Sequence, residues 1–383
     1  MARLLFAAAL LLTAACGRRP APVDAPPTEE APVEETAAIP WLVRVTTPTP
    51  LLQPDTATGC LTPGATRFEA DTELQVLAAS ADFVLVNDAG GIVSARDVAE
   101  VSKPQTLPPG RAGLIGYTGN KTPSASYGAD GCPVEGEPLD DGTPVEAFAR
   151  SHDANYRGWV VIDRALKLAP VRQVEVPGWV YPWHTGLQLI RPLETGGFVM
   201  GAAVLIGPYT LLTAKHMGVD EKTCYGRELI TGPAWYGGRF VCDNIAGPEI
   251  PAPLGVDAAI VQLVRPEGGP YARLRGLPVQ PGEAFFTSRW SRLSRNVFAD
   301  GKVISVGNMN ALCEDWPANT AFNSEPIVSG GDSGGPAWVG DELVGLAHGG
   351  QCRGGFDPPD ERHVFVHVPG ILSFLVPELP PEE

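Results

Sequence analysis

Apolar positions along this chain come in short runs, and turn residues separate the runs at close intervals. Glu73-Leu74-Gln75-Val76-Leu77-Ala78 alternates polar with apolar, and Phe83 to Val86 and Gly91-Ile92-Val93 follow within a few residues. A period of two places alternate side chains on one face, the signature of a half-buried strand. A second stretch repeats the order: Cys60 stands ahead of the first and Cys132 ahead of the second, which runs through Thr143 to Ala149 and then Gly158-Trp159-Val160-Val161-Ile162. Two small β-units in tandem are expected from this likeness, with one irregular β-domain as the alternative. From about Trp179 the runs become denser. Val199 to Ile206 is broken at Gly207-Pro208-Tyr209, and Thr210 to Thr213 resumes it. Val256 to Leu263, Leu343 to Ala347 and Val364 to Val368 continue the pattern. The expected fold class is all-β.

Composition agrees: 44 glycines and 39 prolines among 383 residues favour turns and strands over long helices. A net charge of −16 argues against nucleic acid as a partner. At the N-terminus Arg3 precedes an apolar run from Leu4 to Ala15, shorter than the roughly 18 residues that cross a bilayer but suited to a signal peptide. Leu12-Thr13-Ala14-Ala15-Cys16 resembles a bacterial lipoprotein cleavage site, which implies lipidation at Cys16 and a membrane anchor. The alternative is an ordinary secretion signal, giving a secreted or periplasmic protein, and on either reading the chain is exported. Residues 1–16 are thus a signal and 17–39 a linker, whose Pro, Ala, Glu and Thr cannot bury enough apolar surface to fold.

Cys60, Cys132, Cys224, Cys242, Cys313 and Cys352 remain, an even number in an oxidising compartment, and disulfides are expected over metal ligation. The pairing is open; proximity favours Cys224–Cys242 and Cys313–Cys352, leaving Cys60–Cys132. No CxxC pair is present, and no metal site is expected.

The chemistry concentrates in Gly331-Asp332-Ser333-Gly334-Gly335-Pro336. Glycines on both sides of a serine let the backbone turn sharply and let a substrate carbonyl approach main-chain N–H groups. A serine hydroxyl needs a base to become a nucleophile. His216 ends the strand Thr210–Thr213 in the context Thr-Ala-Lys-His, and its ordinary pKa near neutrality suits a general base. Asp257 opens the apolar run Ala258 to Leu263, where a buried carboxylate requires a partner. Taken singly, each has a blander reading: a surface histidine, a strand cap.

Together, His216, Asp257 and Ser333 in that order, with their flanking residues, strongly resemble the chymotrypsin-like (trypsin-fold) serine proteases. The resemblance covers about Trp179 to Pro377 and implies a two-barrel domain, set at 173–383. It implies Ser333 as nucleophile, His216 as general base, Asp257 as its orienting acid, and an oxyanion hole from the N–H groups of Gly331 and Ser333. No cofactor is implied. Leu343 to Gly350 looks like the strand lining the substrate pocket, which marks Ile327, His348 and Gly350 as pocket residues. Apolar Ile327, six residues before Ser333, argues against a demand for Arg or Lys. His348 either meets an acidic substrate side chain or supports Asp257. The N-terminal half, divided at 40–105 and 106–172, resembles one or two bacterial SH3-like barrels, chiefly through Gly158-Trp159-Val160. That likeness implies a cell-wall or peptide ligand. The expected function is an exported serine endopeptidase acting on protein or peptide substrates. The alternative is a catalytically silent protease-fold envelope protein that binds peptides or cell wall through its SH3-like modules.

Overall fold

In the strand Glu73–Ala79 the side chains of Leu74, Val76 and Ala78 are buried while Glu73 and Gln75 face solvent, so the alternation in the sequence becomes a two-faced strand. The computed structural model describes residues 41–55, 58–87, 91–103, 114–119, 121–140, 142–154, 156–176, 178–226, 240–289, 297–307, 316–349 and 362–375. All of these belong to one unit, Ile39–Glu383. Cys16, Cys313, Gly350 and Cys352 lie outside the described residues.

Glu73–Ala79 takes its place in a seven-stranded antiparallel sheet. Its spatial order is Leu61–Phe68, Thr49–Pro54, Ile92–Ser94, Phe83–Val86, Glu73–Ala79, Leu42–Val45 and Val98–Ser102. The next segment builds two further sheets. One contains Pro133–Glu135, Ala125–Tyr127, Lys167–Pro170, Gly158–Val161 and, at its edge, Ala149–His152. The other contains Pro144–Ala147, Leu114–Thr118 and Val174–Glu175. The disulfide Cys60–Cys132 ties the first segment to the second, and Cys224–Cys242 closes a loop further on. Cys224–Cys242 is the pair that proximity favours, and Cys60–Cys132 is the pair left by the remaining cysteines.

Two more sheets carry the C-terminal half. Gly186–Pro192, Phe198–Gly207, Thr210–Thr213 and Ala259–Gln262 form the middle of a six-stranded sheet, flanked by Cys224–Gly226 and Ile250–Pro251. The second sheet closes on itself. Ala284–Arg289, Val297–Gly307, Ala321–Ser324, His363–His367, Glu342–Gly349 and Pro336–Val339 pair in a ring of six, and Arg273–Leu274 adds a parallel strand outside it. A short helix, Val368–Leu375, follows and buries Val368, Ile371 and Leu375.

The second N-terminal segment and the closed barrel share one apolar core. Tyr156, Tyr181 and Trp183 pack with Phe286, Trp338, Val366 and Leu375. Tyr181 stacks on Trp183 with ring centres 4.4 Å apart, and Trp183 meets Phe298 at 4.9 Å. Polar bonds border this core: Arg172 donates to Asp300 at 2.8 Å, and the Tyr156 hydroxyl donates to Asp341. Aromatic pairs of this kind contribute about 0.5–1.5 kcal/mol each beyond their area burial, so the joint is more than a surface contact.

Candidate active site

The strand Thr210–Thr213 runs fully buried and ends at Ala214, after which Lys215–Met217 form a single 3-10 turn capped by Gly218 in the left-handed region (φ 58°). That turn lifts His216 out of the strand. Lys215 beside it is exposed, as its charge demands, and Met217 is buried. Asp257 precedes the neighbouring strand Ala259–Gln262, which pairs with Thr210–Thr213. The pairing brings residues 41 apart in sequence into contact. The His216 N–H donates to Asp257 Oδ1 at 2.8 Å, and His216 Nδ1 lies 2.6 Å from Asp257 Oδ2.

A second histidine reaches the same oxygen. His348 Nδ1 sits 2.5 Å from Asp257 Oδ2, and its ring stands perpendicular to that of His216 with centres 5.5 Å apart. Trp316, buried, packs edge-on against His348 with ring centres 5.3 Å apart. Burial pushes the Asp257 carboxyl up, but the hydrogen bonds from His216 and His348, with their charges, outweigh it and hold the group at about 2. Asp257 is therefore an anion at neutral pH and accepts only, so both Nδ1 atoms donate to it. This assigns the His216 tautomer: with the ring neutral, its Nε2 is unprotonated. The bond to Asp257 raises the His216 pKa above its usual value, against burial, which lowers it. Glu249, whose Oε2 accepts the Val219 N–H at 2.8 Å, adds to the rise through its charge.

The loop carrying Ser333 is pinned on both sides. The Ala202 N–H donates to the Ser333 carbonyl at 2.8 Å, and the Gly334 N–H donates to the Ala347 carbonyl at 2.8 Å. Gly334 has φ +77°, and a Cβ there would lie 2.1 Å from the Ala202 carbonyl oxygen and 2.4 Å from Thr213 Oγ1. Only glycine fits so close to the strand that leads into His216. Gly331 has φ +97°, and no hydrogen bond among the described residues takes its N–H or that of Ser333. Two donors are thus left for a ligand oxygen. Asp332 is buried, and its Oδ2 accepts from the Ser329 N–H at 2.7 Å and the Ser329 hydroxyl at 3.2 Å.

The structure brings His216, Asp257 and His348 together, and docks the Ser333 loop against Ala202, Thr213 and Ala214, next to the strand that leads into His216. Ile327 is half-buried and leans on Gly301 of the closed barrel. Its backbone is held by a residue that no motif marked: His363 Nδ1 accepts the N–H groups of both Ile327 and Val328 at 2.8 Å. Trp316 and Glu249 were likewise unmarked, since neither stands in a recognisable local pattern. His216, Asp257 and His348 offer ligand atoms within 4.8 Å of one another, a set able to hold a divalent cation. The two imidazole bonds to Oδ2 account for their convergence as it stands.

Two β-sheets, one closed into a barrel, with a histidine–aspartate pair and a glycine-flanked serine between their strands, define an all-β, trypsin-fold protease architecture. Residues 171–373 match the family described as Trypsin, and the chain belongs to that family. No curated protein matches the chain. Among solved structures it is similar to a scabies mite inactivated protease paralogue, at 17% identity over 51% of this chain and 93% of that one, with a TM-score of 0.41. It is also similar to kallikrein-related peptidase 10 in complex with Zn2+, at 16% identity over 53% of this chain and 99% of that one (TM-score 0.40). Neuropsin from mouse brain matches at 16% identity over 52% of this chain and 96% of that one, also with a TM-score of 0.40.

Proposed function

We propose that the protein is an exported serine endopeptidase. The Ser333 hydroxyl oxygen attacks the carbonyl carbon of a peptide bond while His216 Nε2 takes its proton. The oxygen that gains charge in the tetrahedral intermediate accepts the N–H groups of Gly331 and Ser333. Collapse breaks the C–N bond, the imidazolium returns its proton to the leaving amine, and the acyl group stays on Ser333. Water then repeats the sequence: it attacks the acyl carbon, His216 takes its proton and gives it to Ser333, and the acid product leaves. Asp257 keeps the proton on His216 Nδ1 throughout and stabilises the ring once it is charged.

The observation that carries this reading is the hydrogen-bonded Asp257 carboxylate, which leaves His216 Nε2 as an acceptor at the mouth of a buried strand. Asp332 supports activity without N-terminal cleavage, because its carboxylate already has a partner in Ser329. Apolar Ile327 near the pocket base favours substrates without a basic side chain at the cleaved residue, and His348 and Gly350 are the other candidate pocket residues. In the N-terminal half, 40–105 and 106–172 read as SH3-like modules with a peptide or cell-wall ligand, tethered through residues 17–39 to a lipid on Cys16. The disulfides are in keeping with an address outside the cytoplasm.

Labelling with an active-serine phosphonate and cleavage of a peptide library, each compared with Ser333→Ala, test the proposal. Wild type is expected to label and cleave while the variant does neither. If the two behave alike, the catalytically silent alternative stands instead.

A further inference from the structure

A cavity of about 320 Å³ lies where the first N-terminal segment meets the second. Leu52, Leu85, Ile92, Val161 and Leu168 form an apolar part of its lining, with Trp159 beside them and Gln53 and Arg150 adding polar groups. Trp159 packs directly against Gly59, where a Cβ would come within 2.5 Å of the indole nitrogen, and Gly59 adjoins the Cys60–Cys132 bridge. The cavity is therefore clamped by a covalent link between the two segments it spans.

One polar group in this lining has nothing to bond among the described residues. Tyr127 is 6% exposed, and its hydroxyl has no hydrogen-bond partner among the described residues. A buried donor left unpaired is rare and costly, and it marks a place where a ligand atom completes the set. At the rim stands Arg150, exposed, its guanidinium over the rings of Trp179 and Tyr181 at 5.1 and 4.8 Å. No carboxylate among the described residues pairs with it. A guanidinium fixed on aromatic faces keeps its planar fork of donors available for a carboxylate.

We propose that this cavity binds the C-terminal carboxylate of a peptide ending in apolar residues. Arg150 takes the carboxylate, the apolar walls take the last side chain or two, and the Tyr127 hydroxyl donates to a peptide carbonyl. The size selects this ligand over a long acyl chain, being at the low end of the roughly 300–1,000 Å³ that small-ligand sites occupy. The edge favours it too. Arg150 lies on Ala149–His152, the terminal strand of its sheet, whose outer side an extended peptide can join by main-chain hydrogen bonds. The proposal rests on the ligand-binding reading of the N-terminal half and is independent of the triad.

Isothermal titration calorimetry of the full chain carrying Ser333→Ala tests it, because this background binds without cleaving. The probes are N-acetyl-Ala-Leu-Leu with a free carboxylate, the same peptide as its C-terminal amide, and decanoate. The free acid is expected to bind, and amidation or Arg150→Gln to weaken it by about tenfold or more, the loss of one charge-assisted pair. Tyr127→Phe should weaken binding several-fold without lowering the melting temperature, which separates a ligand contact from a structural one. Equal binding of acid and amide, an unchanged affinity in Arg150→Gln, preference for decanoate, or no binding at millimolar peptide each overturns the proposal. None of these outcomes bears on phosphonate labelling of Ser333, so the two readings fail separately.

Discussion

Replacing Asp257 by Asn changes one atom and reverses the direction of two hydrogen bonds. Oδ1 accepts the His216 backbone N–H at 2.8 Å, so the oxygen of an asparagine must stay on that side. Its NH₂ then occupies the position of Oδ2, facing His216 Nδ1 at 2.6 Å and His348 Nδ1 at 2.5 Å. An amide nitrogen donates and cannot accept, yet it carries two hydrogens for two rings. Both imidazoles are therefore expected to move their protons to Nε2. The local structure stays satisfied, but His216 then presents an N–H where it must accept a proton. A wrong tautomer of this kind costs about 10⁴ in kcat. The variant thus separates chemistry from folding. The assay is kcat/KM on a cleaved peptide alongside the melting temperature, with an expected drop of about 10⁴ in the first and a small change in the second. Retention of more than a tenth of wild-type activity would refute the assigned tautomer. Collapse of the fold would refute the claim that both rings can turn from donors into acceptors there.

Other outcomes follow from the same geometry. His348→Ala should be far milder than the asparagine change, because Asp257 keeps two of its three donors; a loss comparable to that of Asp257→Asn would mean His348 touches substrate. The pH–rate profile should rise through a value above the ordinary 6.5, because the Asp257 bond raises His216 and the base must be neutral to act. A limb centred below 6.5 contradicts this. The same raised pKa favours folding below 6.5 and loses that contribution as pH climbs through the folded value, while buried His367, lowered by desolvation, acts in the opposite sense on acidification. His367→Gln should accordingly flatten the acid side of a melting-temperature profile. Gly334→Ala places a methyl 2.1 Å from the Ala202 carbonyl and should abolish activity and lower the melting temperature, whereas a fully active variant would show the loop is not docked as described. Removing the Cys60–Cys132 bridge, which closes a separation of 72 residues, should cost about 4 kcal/mol by chain entropy, measurable by denaturant unfolding.

The strand pattern was legible because it is a local event, and His216, Asp257 and Ser333 stood out as candidates for the same reason. Period-two alternation announces Glu73–Ala79, and glycine crowding around Ser333 announces a backbone that must pass close to another strand. Of the two cysteine pairs, Cys224–Cys242 was legible because its partners stand a short way apart along the chain, whereas Cys60–Cys132 came only as the remainder. The role of His348 stood between two readings, of which support of Asp257 is the one the structure shows. His348 lies 91 residues from Asp257, and only the return of the strand Glu342–Gly349 toward the other sheet decides that its ring meets the carboxylate. His363 is hidden in the same way, since its clasp on Ile327 and Val328 depends on a strand pairing across the barrel. The full lining of the cavity in the N-terminal half is not legible in either repeat, because it belongs to neither alone. Leu52 and Ile92 come from one and Trp159 and Leu168 from the other.

The aromatic joint between the second N-terminal segment and the closed barrel sets where this protein can be cut. Family boundaries invite expression of a fragment beginning near residue 171, but such a fragment leaves out Tyr156, Ala147 and Val160, which belong to the same core as Phe286, Trp338 and Leu375. It would present a raw apolar face to solvent and drop the hydroxyl that caps Asp341. The smallest portable enzyme is accordingly larger than the homology unit. Its N-terminal neighbour serves as a built-in half of the scaffold, and engineering that swaps catalytic domains between relatives has to carry that half along.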